Sequence, residues 1–133
     1  CRSLESKGKI KFDLIENLPH SLAIKRKEQS DIFIDQIGNK GGWGYGMNSV
    51  ESLSMGICTL TEMNDQYNNF IPDHPFVDIN EESLESTINE LINDKDKIMK
   101  FGRNSKEWVQ RYHDVQQVSN ELYKYYERIG VKC

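Results

Sequence analysis

A glycine-rich segment is the first part of this sequence whose residue types could do chemistry. Gly38 to Gly46 contains five of the nine glycines of the chain, and the residues from Met47 onward have the pattern of a helix. Glycine has no Cβ atom, so the backbone can adopt positive φ angles and lie close to a ligand. The backbone N–H groups at the start of the following helix would then face that ligand, and the partial positive charge there favours a phosphate.

The individual residues of such a site follow from the spacing. The glycines that would let the backbone approach a ligand are Gly41, Gly42, Gly44 and Gly46. The free N–H groups would be those of Met47, Asn48 and Ser49. Glu51 would lie about one turn further along the helix, and its carboxylate, which only accepts hydrogen bonds, suits the two hydroxyls of a ribose. A plain tight turn followed by a solvated glutamate explains the same spacing. The segment is also neither a G-x-G-x-x-G fingerprint, because residue 49 is Ser, nor a Walker A loop.

The other residues with chemical potential have ordinary structural interpretations. The three histidines are too far apart in sequence for a metal-ligand motif, and we expect no metal. His74 lies between two prolines and is interpreted as a rigid loop residue rather than a catalyst, whereas His113 ends a helix, where a cation suits the dipole. For Asp35 and Gln36, a structural hydrogen bond and a ligand contact are both open. The basic run from Lys25 to Lys27 is predicted to be a solvated helix face.

The composition is typical of a small soluble domain. The 133 residues carry a net charge of −4, which argues against a protein that binds nucleic acid through a basic face. No apolar run approaches the ~20 residues that span a bilayer. The three cysteines, Cys1, Cys58 and Cys133, have no metal-ligand spacing and fit a reducing compartment, and Cys58 is predicted to be a buried thiol. The chain begins with Cys rather than Met, which we interpret as a piece cut from a longer protein.

Four strands are predicted along the first eighty residues. Lys9 to Ile15 alternate between apolar and polar side chains, as in a half-buried strand near a sheet edge. Ile32 to Ile34 form a continuous apolar run, which is typical of a strand covered on both faces. The other two strands are Ile57 to Leu60 and Phe76 to Ile79.

Two helices are predicted between these strands. A short helix begins near Pro19 and reaches about Gln29. The second helix runs from Met47 to Met55, where Gly56 closes its C-terminal end.

Three longer helices are predicted at the C-terminal end. The first is capped by Asn80 and buries Leu84, Ile88, Leu91 and Ile92. The second runs from Asp94 to Tyr112, with Tyr112 also at core spacing, and its inward residues are Ile98, Phe101, Trp108 and Val109. The third begins after Asp114, which forms a capping box with Gln117. Its predicted buried residues are Val115, Val118, Leu122, Tyr125 or Tyr126, and Ile129.

This order of elements predicts an α/β fold with a parallel sheet and flanking helices. Right-handed crossovers place the loops that follow the strands at the carboxyl edge of the sheet, where ligands bind. Gly38 to Gly46 and the loop ENLPH, residues 16–20, would both lie at that edge.

The stretch WGYGMNSVESLSMGICTL resembles the signature turn of glycosyltransferase family 4, a group of retaining enzymes with the GT-B fold. That signature reads roughly E-x-F-G-x-x-x-x-E-A-x-A-x-G-x-P-V. Tyr45 and Gly46 fall on Phe-Gly, Glu51 on the second Glu, residues 52–54 on Ala-x-Ala, and Gly56 on the last glycine. SDIFIDQ, IPDHPFVDI and WVQRYHD are similar to flanking segments of one subset, so that the resemblance covers about residues 9–128.

The resemblance implies a nucleotide-sugar-binding domain with a Rossmann-like sheet. In that family the second Glu binds the ribose, which implies this role for Glu51. Residues around the aromatic-Gly pair lie near the diphosphate and the donor sugar, and here these are Tyr45, Gly46, Met47 and Asn48. The loop after the preceding strand borders the base, and here it contains Leu18, Pro19 and His20. The donor would be a nucleotide-diphosphate sugar, used without a cofactor or metal.

The sequence departs from the family pattern in two ways. Trp43 occupies the position of the first Glu of the signature, so the resemblance assigns no catalytic residue. The earlier strand, whose turn supplies a cationic clamp for the diphosphate, has no counterpart before Lys9, and neither does the N-terminal domain that binds the acceptor. Residues 1–133 are therefore predicted to be a partial donor-binding domain whose central first strand is missing. For the full-length enzyme we expect a cytoplasmic location, either in solution or bound peripherally to the inner face of the membrane.

Two functions are compatible with these residues. The first is the donor-binding part of a retaining glycosyltransferase, which would be inactive alone. The second is a non-catalytic, flavodoxin-like domain that binds a nucleotide or another protein, because a fold does not dictate a function. Without the first strand, we expect Ile10 to Leu14 to pair directly with Ile32 to Ile34, or two copies of the chain to associate through the open strand edge.

Overall fold

The chain folds around a three-stranded parallel sheet, and the computed structural model describes residues 1–38, 45–71 and 73–131. The strands are β1 (Ile32–Ile34), β2 (Cys58–Thr61) and β3 (Val77–Asp78). The helices are α1 (Arg2–Ser6), α2 (His20–Lys27), α3 (Met47–Met55), α4 (Asp65–Phe70), α5 (Leu84–Ile92), α6 (Lys95–Tyr112) and α7 (Val115–Arg128). The prediction of an α/β fold with a parallel sheet and long C-terminal helices is confirmed.

β2 is the central strand of the sheet. The order is β1–β2–β3, with Ile32 opposite Cys58 and Leu60 opposite Val77, and all four residues of β2 are buried. Successive side chains of a strand point to opposite faces. Cys58 therefore faces the side that packs against α5, whereas Thr59 faces α3, where its hydroxyl shares a hydrogen bond of 2.8 Å with Ser52.

Two groups of apolar side chains form the core. The larger group consists of Leu4, Cys58, Leu60, Ile79, Ile88 and Leu91. The smaller group consists of Leu53, Met63, Phe76 and Trp108. Burial raises the pKa of the Cys58 thiol to about 12, so the thiol stays protonated and unreactive. The prediction of a buried Cys58 is confirmed.

Two glycines set the distance between α3 and α6. Gly56 ends α3 at a φ of +79°, in the left-handed region that favours glycine, as the sequence predicts. Gly102 on α6 lies against it, and a Cβ atom at Gly102 would overlap with the carbonyl oxygen of Gly56. This close approach holds the C-terminal end of α3 on α6, and it thereby orients the opposite end of α3, where the predicted site begins.

The predicted strand from Lys9 to Ile15 is wrong, because this segment has no regular secondary structure. Side chains of neighbouring helices hold it instead of a strand ladder. The Glu5 carboxylate accepts a hydrogen bond of 2.9 Å from the Phe12 backbone N–H, and the Arg26 guanidinium pairs with Asp13. Alternating polarity describes which side chains face inward, but it does not supply a hydrogen-bonding neighbour.

The predicted pairing between Ile10–Leu14 and β1 is wrong as well. Within the described residues, β1 pairs only with β2 and is an edge strand. Ile10 packs on the larger core group, whereas Leu14 is 50% exposed. The residues of β1 are half-buried rather than covered on both faces. Association of two copies through this edge stays a prediction.

The apolar face of α7 is exposed, so its predicted burial is wrong. Asp114 caps this helix as predicted, since its side chain accepts hydrogen bonds from the N–H groups of Gln116 and Gln117. The residues predicted to be buried are 41% to 80% exposed, and these are Val115, Val118, Leu122, Tyr125, Tyr126 and Ile129. The spacing of these residues identifies an amphipathic helix. In the part of the chain that the structure describes, nothing buries that face.

The remaining helices agree with the predicted positions to within a few residues. α3 has the predicted bounds, and α2 ends at Lys27 rather than near Gln29. The predicted cap of α5 at Asn80 is wrong, because Ser83 is the N-cap; Asn80 instead exchanges two hydrogen bonds with Ser83. Trp108 is buried as predicted, whereas Tyr112 is 41% exposed.

Two short helices, α1 and α4, have no counterpart among the predicted elements. Asn64 caps α4 by accepting a hydrogen bond from the Tyr67 N–H. Within residues 1–38, 45–71 and 73–131, no helix combines the length and the apolar character that crossing a bilayer requires.

Candidate functional site

The predicted site lies where the carboxyl end of β1 meets the first turn of α3. Asp35 follows β1, and its carboxylate accepts a hydrogen bond from the Ser49 hydroxyl on α3. Of the two interpretations left open for Asp35, the structural hydrogen bond is therefore formed. Proteins with an open parallel sheet bind their ligands at the carboxyl ends of the strands, which is where this site lies. The loop residues Gly41, Gly42, Trp43 and Gly44 lie outside the described residues.

Gly46 forms the N-cap of α3 with an extended backbone, at φ −116° and ψ −175°. Any residue adopts this conformation, so Gly46 does not use the positive φ that glycine permits. Gly38, at the other end of the loop, does have a positive φ of 90°, and its N–H donates to the Glu62 carboxylate at 2.5 Å. The left-handed turn in the described part of the loop is thus at its start rather than at the helix.

The first turn of α3 begins with three backbone N–H groups that have no acceptor among the described residues. The Val50 N–H donates to the Gly46 carbonyl oxygen at 3.2 Å, which begins the helical hydrogen bonding. Among the described residues, no acceptor contacts the N–H groups of Met47, Asn48 or Ser49. Met47 is 75% exposed, so solvent reaches this turn. An anion could accept these hydrogen bonds.

Four side chains from α2 and α3 form a hydrogen-bonded group that we call the Glu51 cluster: His20, Lys27, Asn48 and Glu51. The Lys27 ammonium donates to the Glu51 carboxylate at 2.5 Å and to the Asn48 side-chain oxygen at 2.8 Å. His20 Nε2 lies 2.8 Å from the second oxygen of Glu51. The structure therefore brings together three residues of the predicted site, His20, Asn48 and Glu51.

The environment of Glu51 keeps its carboxylate ionised. The hydrogen bond from Lys27 is the largest cause of a lowered pKa at Glu51, the hydrogen bond from His20 adds to it, and partial burial opposes both. The Glu51 side chain is 22% exposed, and each of its two carboxylate oxygens already has one partner, His20 or Lys27. An ionised carboxylate offers acceptors only, which is the property that hydroxyl groups of a ligand require.

Lys27 is the member of the cluster that the sequence did not reveal. The run Lys25 to Lys27 was expected to be a solvated helix face, and this is wrong for Lys27, which is only 3% exposed. Its ammonium also lies 4.9 Å from the centre of the Phe33 ring. A periodicity signal could not have found it, because α2 is short and largely polar.

Leu18 and Pro19 immediately precede His20 in the chain, and the structure gives them no side-chain hydrogen bond to the Glu51 cluster among the described residues. Pro19 is the N-cap of α2, and its carbonyl oxygen accepts hydrogen bonds from Leu22 and Ala23. Both residues are exposed, Leu18 by 36%. This turn holds His20 at the start of α2, where it meets Glu51. Contact of Leu18 and Pro19 with a ligand stays a prediction.

Tyr45 belongs to an aromatic group rather than to the Glu51 cluster. Its ring centre lies 5.0 Å from that of Phe76 and 5.7 Å from that of Trp108, and its hydroxyl lies 3.3 Å from His113 Nε2. Burial raises the pKa of the Tyr45 hydroxyl. These contacts anchor the residue that precedes Gly46, and a role of Tyr45 in ligand binding stays a prediction.

The other two histidines have structural surroundings. Burial lowers the pKa of His113, which opposes the expected cationic form at the end of α6. Burial also lowers the pKa of His74, whose Nε2 lies 2.7 Å from the Asn68 side-chain oxygen, as expected for a loop residue held in place. Among the described residues, no group of three His, Cys, Asp or Glu side chains could hold a metal ion.

An open cavity of about 220 Å³ lies at the carboxyl ends of β2 and β3. None of the predicted site residues lines it. Its lining residues include Glu62, Asp78 and Ser83. The Asp78 carboxylate already accepts a hydrogen bond of 3.0 Å from the Met63 N–H. The candidate site is therefore the Glu51 cluster with the first turn of α3.

Comparisons with known proteins neither add to this site nor contradict it. No protein-family model matches the chain, and no curated protein and no solved structure matches it.

Proposed function

We propose that this chain is the nucleotide-diphosphate-sugar-binding domain of a retaining glycosyltransferase of the family 4 type, built on a Rossmann-like sheet. The contact between His20 and Glu51 carries the proposal. The resemblance assigns His20 to the base and Glu51 to the ribose of one nucleotide, although 31 positions separate them in sequence. Their contact is the arrangement that a single bound nucleoside would require.

The geometry also supports a place for the diphosphate. Asn48 belongs to the same cluster, and its backbone N–H at the start of α3 has no acceptor within the part of the chain that the structure describes. A ribose at Glu51 and a diphosphate at this turn would then lie along one face of the helix. Fixed N–H dipoles stabilise negative charge that grows on a leaving diphosphate, and tight binding of the donor orients the sugar.

The complete reaction would move the sugar to an acceptor hydroxyl. In the family that the sequence resembles, a separate N-terminal domain binds the acceptor and the reaction takes place between the two domains. This chain would supply donor binding, and alone it would not catalyse transfer.

A non-catalytic interaction domain is the second candidate, and the exposed apolar face of α7 favours it. Six large apolar or aromatic residues on that helix are at least 41% exposed. Such a face commonly marks a surface that contacts another protein. This candidate predicts that nucleotides leave the Glu51 cluster unaffected.

An NMR titration distinguishes the two candidates. The ¹⁵N-labelled chain is titrated with UDP, GDP and ADP up to millimolar concentration, without added metal. The proposal predicts shift changes centred on residues 18–20, 27 and 45–51 for at least one nucleotide. If none of the three nucleotides changes the chemical shifts of these residues, the proposal that a nucleotide binds at this site is wrong.

Substitutions at Glu51 test the ribose role. Hydrogen bonds to a charged acceptor contribute roughly 1.5–3 kcal/mol, so Glu51→Ala should weaken nucleotide binding by about tenfold to a hundredfold. Glu85→Ala is the control for loss of a glutamate ion pair, because Glu85 pairs with Lys7 on the surface, outside the cluster. Equal affinity of Glu51→Ala and wild type would show that Glu51 does not bind the ribose.

A further inference from the structure

Lys27 is held by three partners, two side-chain oxygens and one aromatic ring. It donates to Asn48 Oδ1 at 2.8 Å and to Glu51 Oε2 at 2.5 Å, and its Nζ lies 4.9 Å from the Phe33 ring centre. An aromatic face attracts a cation at this distance. A lysine that is only 3% exposed is stable when such partners replace the lost water.

One ammonium therefore restrains two side chains of α3. Asn48 and Glu51 are three residues apart, so they lie on the same face of the helix. The amide oxygen of Asn48 is occupied by Lys27, which leaves the amide hydrogens as the donors available to a ligand. One oxygen of Glu51 is held by Lys27, while the other lies beside His20, whose side chain is 75% exposed.

We propose that Lys27 is the positioning residue of the candidate site: it orients the Asn48 amide and the Glu51 carboxylate for a ligand that it does not itself touch. The part that concerns the ligand rests on the proposed function. Buried beneath its two partners, Lys27 acts through them. Side chains that are already ordered lose less conformational freedom when a ligand binds, so the effect of Lys27 is on affinity.

The test compares two changes of lysine to methionine in the same helix. Methionine keeps the unbranched side chain and removes the charge, and Lys25→Met is the matched control because Lys25 is exposed on α2. The pKa of Glu51 is measured from the NMR shift of its side-chain carboxyl carbon. In Lys27→Met this pKa should rise toward its usual value, and Lys27→Arg should restore part of the lowering. Lys25→Met should leave it unchanged.

Nucleotide affinity is measured in the same variants with the tightest binder among UDP, GDP and ADP. Restraint of two side chains predicts about a tenfold loss of affinity in Lys27→Met and partial recovery in Lys27→Arg. An unchanged affinity in Lys27→Met overturns the positioning role. If wild type binds none of the three nucleotides, the proposed function fails separately, and the Glu51 pKa alone decides whether Lys27 orients that carboxylate.

A measurement on the wild-type chain keeps the inference testable if Lys27→Met does not fold. The ammonium signal of Lys27 should be visible as a slowly exchanging ¹H–¹⁵N resonance, and its shift should follow the titration of Glu51. In Glu51→Gln that pH dependence should disappear. An ammonium signal that exchanges as fast as that of Lys25, or that does not respond to Glu51, would overturn the inference.

Discussion

The Lys27 ammonium on α2 and the Glu51 carboxylate on α3 are joined at 2.5 Å, and this contact connects two helices that are distant in sequence. The lysine is buried and the glutamate is partly exposed, with side-chain exposures of 4% and 22%. The pair thus joins the two helices and also lowers the pKa of the residue that we propose to bind the ribose. Both consequences can be measured.

The first prediction concerns acid stability. The folded pKa of Glu51 is lowered, so its contribution to stability is fully present above its usual pKa of 4.5 and is lost as the pH falls through the folded value. Below about pH 4.5, wild type should therefore lose free energy of unfolding more steeply than Glu51→Gln. Urea unfolding at a series of pH values measures this, with Glu85→Gln as the control. Parallel pH curves for wild type and Glu51→Gln would contradict the prediction.

The second prediction concerns the contact between Gly102 and Gly56. Alanine favours a helix over glycine by about 1 kcal/mol, but a Cβ at Gly102 would overlap with the Gly56 backbone. Overpacking of this kind costs about 1–3 kcal/mol, so we expect Gly102→Ala to lower the free energy of unfolding. Asn104→Ala, at an exposed position of the same helix, should be neutral or slightly stabilising. A Gly102→Ala variant that is more stable than wild type would show that α3 and α6 can separate freely.

The third prediction concerns the exposed face of α7. Leu122 is 47% exposed whereas Leu91 is 1% exposed. Leu91→Ala should cost about 2–5 kcal/mol of unfolding free energy, as is usual for a buried leucine. Leu122→Ala should change it by less than about 0.5 kcal/mol. A large loss in Leu122→Ala, dependent on protein concentration, would indicate that a second copy covers this face in solution.

Lys27 and α7 show that the sequence predicts local structure but not the partners against which that structure packs. Local signals identified α3 with its Gly56 cap, and the helix that Asp114 caps, because caps and periodicity depend on neighbouring residues. Which lysine of three consecutive basic residues points inward depends on the packing of α2 against β1 and α3, which no local pattern encodes. The spacing of apolar residues predicts the apolar face of α7, but it does not predict whether another element packs against that face.

The same limit applies to the segment around Ile10 and to the candidate site. Alternation predicted a strand there, yet a strand also needs a hydrogen-bonding neighbour, and that neighbour is set by distant parts of the chain. At the site, the resemblance assigned His20, Asn48 and Glu51 to one ligand. The role of Lys27, which links Asn48 to Glu51, was found only from the structure.

The fourth prediction is that the purified chain does not transfer sugars. The proposed function gives it donor binding only, and without a bound acceptor the two reactants are not held together. Incubation with radiolabelled nucleotide sugars and a panel of alcohol acceptors should yield no glycoside above the level of a heat-treated sample. Measurable transfer would show that the acceptor site lies within these 133 residues.

The last prediction uses Asp35, whose carboxylate accepts a hydrogen bond from Ser49 in the first turn of α3. A negative charge at this position opposes the binding of a diphosphate at the neighbouring N–H groups. Asp35→Asn keeps an oxygen that can accept the Ser49 hydrogen bond, so the fold should be retained, while affinity for UDP, GDP or ADP should rise about two- to fivefold at low salt and less at high salt. Asp31→Asn, at the opposite end of β1, is the control and should leave affinity unchanged. A loss of affinity in Asp35→Asn would instead indicate that Asp35 contacts the ligand directly.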